Sequence, residues 1–196
     1  YLLAQCIRFP AFRPHVLPRF TPARLFTPEA LPVSLIMLVI MVSYGGVLSF
    51  ITLYALEFNL GSAGVFFSVY AVGLTLSRLV AGRIFDRQGP TRITPAGLVA
   101  LSAGLLVLWL WQQPAGLIVA GFLFGLGLGI VFPTFQAMIN NLVEPWRRGA
   151  ANSTLFTALD LGIGTGAVVT GYLASLVGLS EAFGALAATS ICGLLL

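Results

Sequence analysis

The sequence contains no lysine and little charge of either sign. Of its 196 residues, 8% are charged and 58% are hydrophobic, whereas a typical soluble domain has about 25% charged residues. So few charges could not cover the surface of a folded protein in water. The composition therefore excludes an ordinary soluble domain and predicts that lipid takes up the apolar surface.

Residues that carry most enzyme and metal chemistry are also scarce. There is one histidine, His15, and the two cysteines, Cys6 and Cys192, lie at opposite ends of the chain. No set has the spacing of metal ligands, of a disulfide framework or of a catalytic group, so we expect no enzyme, metal site or cofactor. The net charge of +4 comes without a basic face that interleaves aromatic residues, and we therefore expect no nucleic-acid partner.

Long apolar stretches are what the sequence has in abundance. Six of them run roughly over 32–56, 64–85, 93–111, 115–139, 150–177 and 181–196. A membrane-spanning helix needs about 20 apolar residues; five stretches supply them, and we expect the sixth to be cut short by the end of the chain. We predict an all-α membrane protein with a six-helix transmembrane bundle over 32–196. Residues 1–31 are rich in arginine and proline, and the prolines exclude a continuous helix. We interpret this segment as the end of a preceding helix and a basic linker.

The arginines indicate the orientation of the bundle. The connections between stretches are short, so neighbouring helices run antiparallel. If the linker is inside, the connections at 86–92 and 140–149 are also inside, and they hold Arg87, Arg92, Arg147 and Arg148. The three outer connections hold no lysine or arginine. Since cytoplasmic loops are enriched in these residues, we predict both ends in the cytoplasm and the chain in the inner or plasma membrane.

One inner connection, residues 82–92, combines a tight turn at Gly89 with an acid, Asp86, among arginines. Asp86 could face the positive N-terminal end of the fifth helix and form a latch that closes in one conformation and opens in another. A plain solvated turn that obeys the charge rule explains the same residue types.

This connection resembles the signature loop of the major facilitator superfamily, G-x-x-x-D-R-x-G-x-R-R, which joins the second and third helices of each six-helix half. The positions that fit are Gly82, Asp86, Arg87, Gly89 and Arg92, while Thr91 stands where a basic residue is usual. The basic linker resembles the central loop of the family. The resemblance implies the C-terminal half of the transporter fold, with 3+3 inverted repeats, and the drug-efflux and small-metabolite branches are the most similar.

The resemblance also implies a function. It implies transport of a small organic solute by alternating access, driven by protons, with export favoured over import. The partners would be the solute, protons, the lipid bilayer and an N-terminal six-helix half. An alternative that needs no second half is a six-helix scaffold or channel that oligomerises.

Asp160 is the only acid deep in a predicted span. It lies about 15 Å along the fifth helix, close to the middle of a bilayer, where a charge is expensive and usually belongs to a cavity, a partner or a proton relay. We predict that it couples protons or binds a cationic solute. The alternative is a structural acid paired with Arg78 or with helix hydroxyls. Arg78 itself either lines the cavity or reaches back to the cytoplasmic surface.

In the resembled fold, the first, second, fourth and fifth helices of a half line the cavity. Polar and aromatic residues on these helices are the candidate solute contacts, and we predict Tyr44, Tyr70, Gln136 and Arg78 beside Asp160; aromatics that face lipid are the alternative. Glycines cluster in the fourth and fifth helices, where small residues let helices approach closely. We predict packing and gating positions at Gly125, Gly129, Pro133, Gly162 and Gly166.

Overall fold

The structure, a computed structural model, describes residues 27–195, without the side chains of 80–88, 90–92, 192, 194 and 195. Most of the predicted linker, with His15 and Cys6, lies outside these residues. The helices are α1 (Leu31–Glu57), α2 (Ala63–Gln88), α3 (Pro90–Leu110), α4 (Pro114–Leu142), α5 (Arg148–Val177) and α6 (Leu179–Leu195). Single 3-10 turns, Pro28–Ala30 and Pro145–Arg147, precede α1 and α5, and the described range contains no strand.

Each predicted apolar stretch is a helix, but two inner connections are shorter than the sequence indicated. Gly89 alone separates α2 from α3, because its backbone adopts φ 75° and ψ 175°, a conformation that favours glycine. Pro90 then starts α3, where its missing N–H costs nothing. Between α4 and α5, the predicted connection at 140–149 shrinks to residues 143–147, since both helices extend into it.

Four of the helical segments that the structure describes are long and apolar enough to cross a membrane. They are Pro28–Glu57, Ile93–Leu110, Pro114–Leu142 and Pro145–Val177. The other two apolar segments, Ala63–Leu79 and Leu179–Ile191, are shorter. Both end where the run of described side chains ends, at Leu79 and at Ile191.

The helices pack as two parallel pairs, α1 with α5 and α2 with α4. Ring contacts between Tyr44 and Phe124 and between Phe132 and Phe156 connect the pairs. On the other side, α3 packs against α4 and α6, and α6 packs against α1. The buried core lies between these layers and includes Met37, Ile51, Leu101, Leu105, Phe124 and Phe183.

Glycine contacts fix the register within each pair. A Cβ atom built on Gly166 of α5 would lie 2.1 Å from the carbonyl oxygen of Val42 on α1, and one on Gly162 would lie 2.6 Å from that of Leu38. The spacing of four residues on both helices shows that their backbones run parallel and in contact. Only a residue without a side chain permits this approach.

The pair α2 and α4 has the same construction. Cβ atoms built on Gly121, Gly125 and Gly129 of α4 would lie 2.8, 2.2 and 2.9 Å from the carbonyl oxygens of Phe66, Tyr70 and Leu74 on α2. Pro133 lies inside α4, which continues to Leu142. The glycine stripe therefore holds the backbone around Tyr70 directly against α4.

Candidate functional site

Five rings from three helices form what we call the aromatic cluster. Its members are Tyr44 of α1, Phe66, Phe67 and Tyr70 of α2, and Phe124 of α4. Tyr44 stacks on Phe124 with ring centroids 6.1 Å apart and planes 13° apart, and Tyr70 lies parallel to Phe66 at 6.5 Å. Phe124 also approaches Tyr70 at 6.3 Å. Such pairs each add about 0.5–1.5 kcal/mol beyond the area they bury. Phe66 and Phe124 are fully buried, so only Tyr44, Phe67 and Tyr70 are partly accessible.

The two tyrosines bring hydroxyl groups into this apolar setting. Both side chains are half-buried, and both rings lie against Phe124. A cavity of about 50 Å³ is lined by the five rings together with Val47 and Leu48. It exceeds the roughly 15 Å³ that a single water molecule requires. The structure thus brings together two of the predicted solute contacts, Tyr44 and Tyr70.

Arg78 lies two turns further along α2 than Tyr70. Its side chain is exposed and forms no ion pair with any residue that the structure describes. Side chains on a helix lean toward its N-terminus, which directs Arg78 toward Tyr70 and away from the nearer end of α2.

Asp160 lies elsewhere, on the exposed face of α5. It borders an open depression of about 370 Å³ whose other lining residues, Leu161, Gly164, Thr165, Val168 and Val169, all belong to the same helix. Within residues 27–195 the carboxylate has no ion pair and no hydrogen bond, so the pairing with Arg78 that the sequence allowed is not present. A depression lined by one helix has no opposite wall.

Asp160 and Arg78 lie at similar distances from the ends of their helices. Asp160 is 12 residues from the start of α5 at Arg148, and Arg78 is 10 residues from the end of α2 at Gln88. At a rise of 1.5 Å per residue these positions are about 18 Å and about 15 Å from helix ends on the same side of the bundle. Gln136 of α4 is half-buried, and its side chain has no hydrogen bond among the described residues.

The connection that resembles the signature loop is described only in part. Gly82, Asp86, Arg87 and Arg92 belong to the stretch whose side chains lie outside the described residues, so the latch stays a prediction. Nearby, Arg147 makes two hydrogen bonds to Glu29, at 2.8 and 3.1 Å. This ion pair joins the starts of α1 and α5, and Glu29 is a partner that the sequence analysis missed.

Phe66, Phe67 and Phe124 were not predicted from the sequence either. Phenylalanine in an apolar span has the same appearance whether it faces lipid, core or cavity, which is why these rings carried no signal alone. A signal did exist in the spacing. Phe66 and Tyr70 are one turn apart on α2, as Gly121 and Gly125 are on α4, and the paired turns place the rings together.

Comparison with known proteins gives one family. The sequence model of the Major Facilitator Superfamily matches residues 33–196. MFS-type transporters of Burkholderia mallei and Burkholderia pseudomallei are 30% identical over 153 residues, 78% of this chain and 38% of theirs. One from Pseudomonas aeruginosa is 30% identical over 155 residues, 79% of this chain and 39% of its own.

Solved structures give the same fold. The peptide transporter POT in complex with sulfate superposes with a TM-score of 0.73 at 23% identity, over 85% of this chain and 36% of that one. The POT family transporter PepTSo gives 0.71 at 16% identity, over 91% and 37%. The chain thus spans less than two fifths of the length of these proteins and of the first relatives. Since the family model covers nearly all of the bundle, the chain belongs to the Major Facilitator Superfamily.

Proposed function

We propose that this chain is the C-terminal six-helix half of a secondary transporter that moves a small organic solute across the cell membrane. Membership of the family over residues 33–196 is the observation that carries the proposal. The relatives that the chain matches are more than twice its length, which leaves room for a second half and disfavours a stand-alone scaffold or channel. The protein acts as a carrier and catalyses no covalent reaction.

The proposed topology has six spans with both ends in the cytoplasm. The packing supports a 3+3 inverted repeat: if α1, α2 and α3 are exchanged with α4, α5 and α6, the pair α1–α5 becomes α4–α2, and α3–α6 maps onto itself. All three contacts are observed. Under this arrangement α2 and α6 span the membrane together with the four longer segments, and the arginine-bearing connections lie on the cytoplasmic side.

Transport proceeds by alternating access. The two halves rock about a central cavity that faces one side of the membrane at a time, and the glycine stripes of α4 and α5 act as the rigid contacts within each half. The connection around Asp86 acts as the latch for one of the two states. The direction we propose is export, which rests on the resemblance to the drug-efflux branch alone.

Protons drive the cycle through Asp160. A carboxylate at the centre of a span costs about 2.5–3.5 kcal/mol even on the most lenient scale, and this one has no cation beside it in the described structure. In the proposed cycle this carboxylate carries the proton in one of the two states and not in the other. The second half of the transporter supplies the missing wall of the depression, so its movement alternately buries and hydrates the acid.

The test uses everted membrane vesicles that contain the full-length protein and a fluorescent indicator of the pH gradient. Solutes from three classes, organic cations, neutral compounds and carboxylates, are added one at a time. We expect one class to collapse the gradient in vesicles with the wild-type protein, and we expect Asp160→Asn to abolish this proton movement because the amide cannot titrate.

The matched control is Glu181→Gln, which neutralises a carboxylate at the start of α6 that accepts a hydrogen bond from Trp109 at 3.1 Å. This variant should move protons as the wild type does. Proton movement that is unchanged in Asp160→Asn would remove the coupling role of Asp160. The absence of a response to all three classes would contradict proton-driven transport.

A further inference from the structure

Two rows of side chains face each other where α4 and α5 approach the connection that joins them. The side-chain amide of Asn152 on α5 donates a hydrogen bond to that of Asn140 on α4, at 2.8 Å. The rings of Phe156 on α5 and Phe132 on α4 make contact, with centroids 6.1 Å apart. Residues four or eight apart on a helix share one face. The two contacts therefore show which faces are opposed, and we call the strip between them the α4–α5 seam.

Asp160 lies at the inner end of this seam. It is one turn beyond Phe156 on the same face of α5, and about 12 Å along the helix from Asn152. The depression of about 370 Å³ extends from Asp160 in the opposite direction, as far as Val169. The acid is therefore placed between two routes along α5, the depression on one side and the seam on the other.

The seam contains amide groups with unused hydrogen-bonding capacity. Gln136, one turn before Asn140 on α4, is half-buried and has no side-chain hydrogen bond among the described residues, and the buried Oδ1 atom of Asn152 has no protein partner there either. Amides both donate and accept hydrogen bonds, and ordered water usually satisfies such groups. At the far end, Arg148 donates from Nε to the backbone carbonyl oxygen of Asn140, at 3.2 Å. Water along these amides would connect Asp160 with the solution.

The two phenylalanine rings interrupt the row of amides. Phe156 is 41% exposed and Phe132 is half-buried, so either ring can change rotamer without disturbing the buried core. While the rings touch, an apolar contact lies between Asp160 and the two asparagines. When they part, water can pass. The pair thus has the construction of a small gate within one half.

We propose that Asp160 exchanges its proton with the cytoplasm along the α4–α5 seam, through water held by Gln136 and the two asparagines and gated by the Phe132–Phe156 pair. This inference rests on the proposed proton coupling and names the path of the proton. The protonated carboxyl group gives its proton to a water molecule in the seam, which leaves a carboxylate and a hydronium ion, and the reverse step restores the acid. Because the seam lies within one half, this path is separate from the cavity between the halves.

The accessibility of position 160 tests the path. The full-length protein carries Asp160→Cys, has Cys6 and Cys192 replaced by serine, and is studied in everted vesicles with a thiol scavenger trapped inside. The probe is aminoethyl methanethiosulfonate, a small thiol reagent, and the rate of modification is measured. Phe156→Ala and, separately, Phe132→Ala should each raise this rate at least fivefold, because each removes one ring of the gate.

Phe50→Ala is the matched control. The Phe50 ring lies against Gly171, on the part of α5 beyond Asp160, so this substitution removes the same ring from a contact with α5 outside the seam. Its rate should equal that of the protein with Asp160→Cys alone. Unchanged rates in both seam variants, or an equal rise in Phe50→Ala, would overturn the proposal.

Proton movement in the protein that keeps Asp160 gives a second test. At saturating solute, Gln136→Leu should slow solute-driven proton movement severalfold and leave the solute concentration for half-maximal movement unchanged, because the amide holds water and not the solute. An unchanged maximal rate would contradict the path, and a shift in that concentration alone would place Gln136 at the solute. If Asp160→Asn abolishes proton movement while the seam variants behave as the wild type, the coupling role stands and only the path fails.

Discussion

At the scale of the residue, a polar group inside a bilayer needs a partner, and most of those described here have one. Ser43 of α1 is fully buried and exchanges hydrogen bonds with the hydroxyls of Thr189 and Ser190 of α6, at 2.9 and 2.8 Å. Against this background Arg78 and Asp160 stand out, because they lie inside spans and neither has an ion pair or side-chain hydrogen bond among the described residues. Both side chains are exposed, which is why we propose a role in transport for each.

Tyr54 illustrates a polar group used for stability. It is fully buried, and its hydroxyl donates a hydrogen bond to the carbonyl oxygen of Leu108, which belongs to the last turn of α3 and lacks an intrahelical partner. Tyr54→Phe should therefore lower the free energy of unfolding by about 1 kcal/mol, measured as a lower midpoint of thermal unfolding in detergent.

The control for this substitution is Tyr172→Phe. Tyr172 is 66% exposed on α5, so the loss of its hydroxyl should leave the midpoint unchanged. Equal effects of the two substitutions would show that the hydrogen bond between α1 and α3 contributes nothing.

At the scale of the element, the helices are held in pairs by glycine. Gly166→Ala should destabilise the protein by about 1–3 kcal/mol, the usual cost of overpacking, because the new methyl group would meet the backbone of Val42 and α1 and α5 would have to separate. The measurement is again the midpoint of thermal unfolding of the full-length protein.

Gly164→Ala is the matched control on the same helix. A Cβ atom at Gly164 meets nothing within 4 Å, and alanine in place of glycine inside a helix should stabilise by about 0.5–1 kcal/mol. Opposite signs for the two substitutions are expected. A stabilising effect of Gly166→Ala would contradict the close contact of the pair.

The elements themselves could be predicted from the sequence, because an apolar stretch of about 20 residues has few alternatives to a helix. The ends of α2 and α4 could not. Hydropathy falls where charges begin, yet both helices continue into polar sequence, α2 as far as Gln88 and α4 as far as Leu142. Backbone hydrogen bonding continues a helix regardless of side-chain polarity, until a residue such as Gly89 ends it.

The faces of the helices were harder to predict than the helices. The sequence placed Tyr44 and Tyr70 in one candidate site, and in the structure both rings lie against Phe124. It also placed Asp160 and Gln136 there, whereas Asp160 lines a different depression. In a helix that is apolar on all sides, hydrophobic periodicity does not identify the face that packs against a neighbour. That face depends on close contacts between helices, which cannot be predicted from single residues.

At the scale of the whole molecule, the described helices leave two features open on one side. The exposed faces of α2 and α5 carry Arg78 and Asp160, and neither the aromatic cluster nor the depression on α5 is closed by residues of the described chain. The relatives of more than twice this length are consistent with a second half that completes both.

Membrane orientation decides whether these features lie where a transporter needs them. In a full-length protein with Cys6 and Cys192 replaced by serine, single cysteines are placed at the exposed positions Ser62, Gln113, Glu144 and Gly149. They are then labelled with a maleimide that cannot cross membranes. We predict that Ser62→Cys and Gln113→Cys react in intact cells, whereas Glu144→Cys and Gly149→Cys react only in everted vesicles. Labelling of Glu144→Cys or Gly149→Cys in intact cells would contradict a six-helix bundle with its arginines in the cytoplasm.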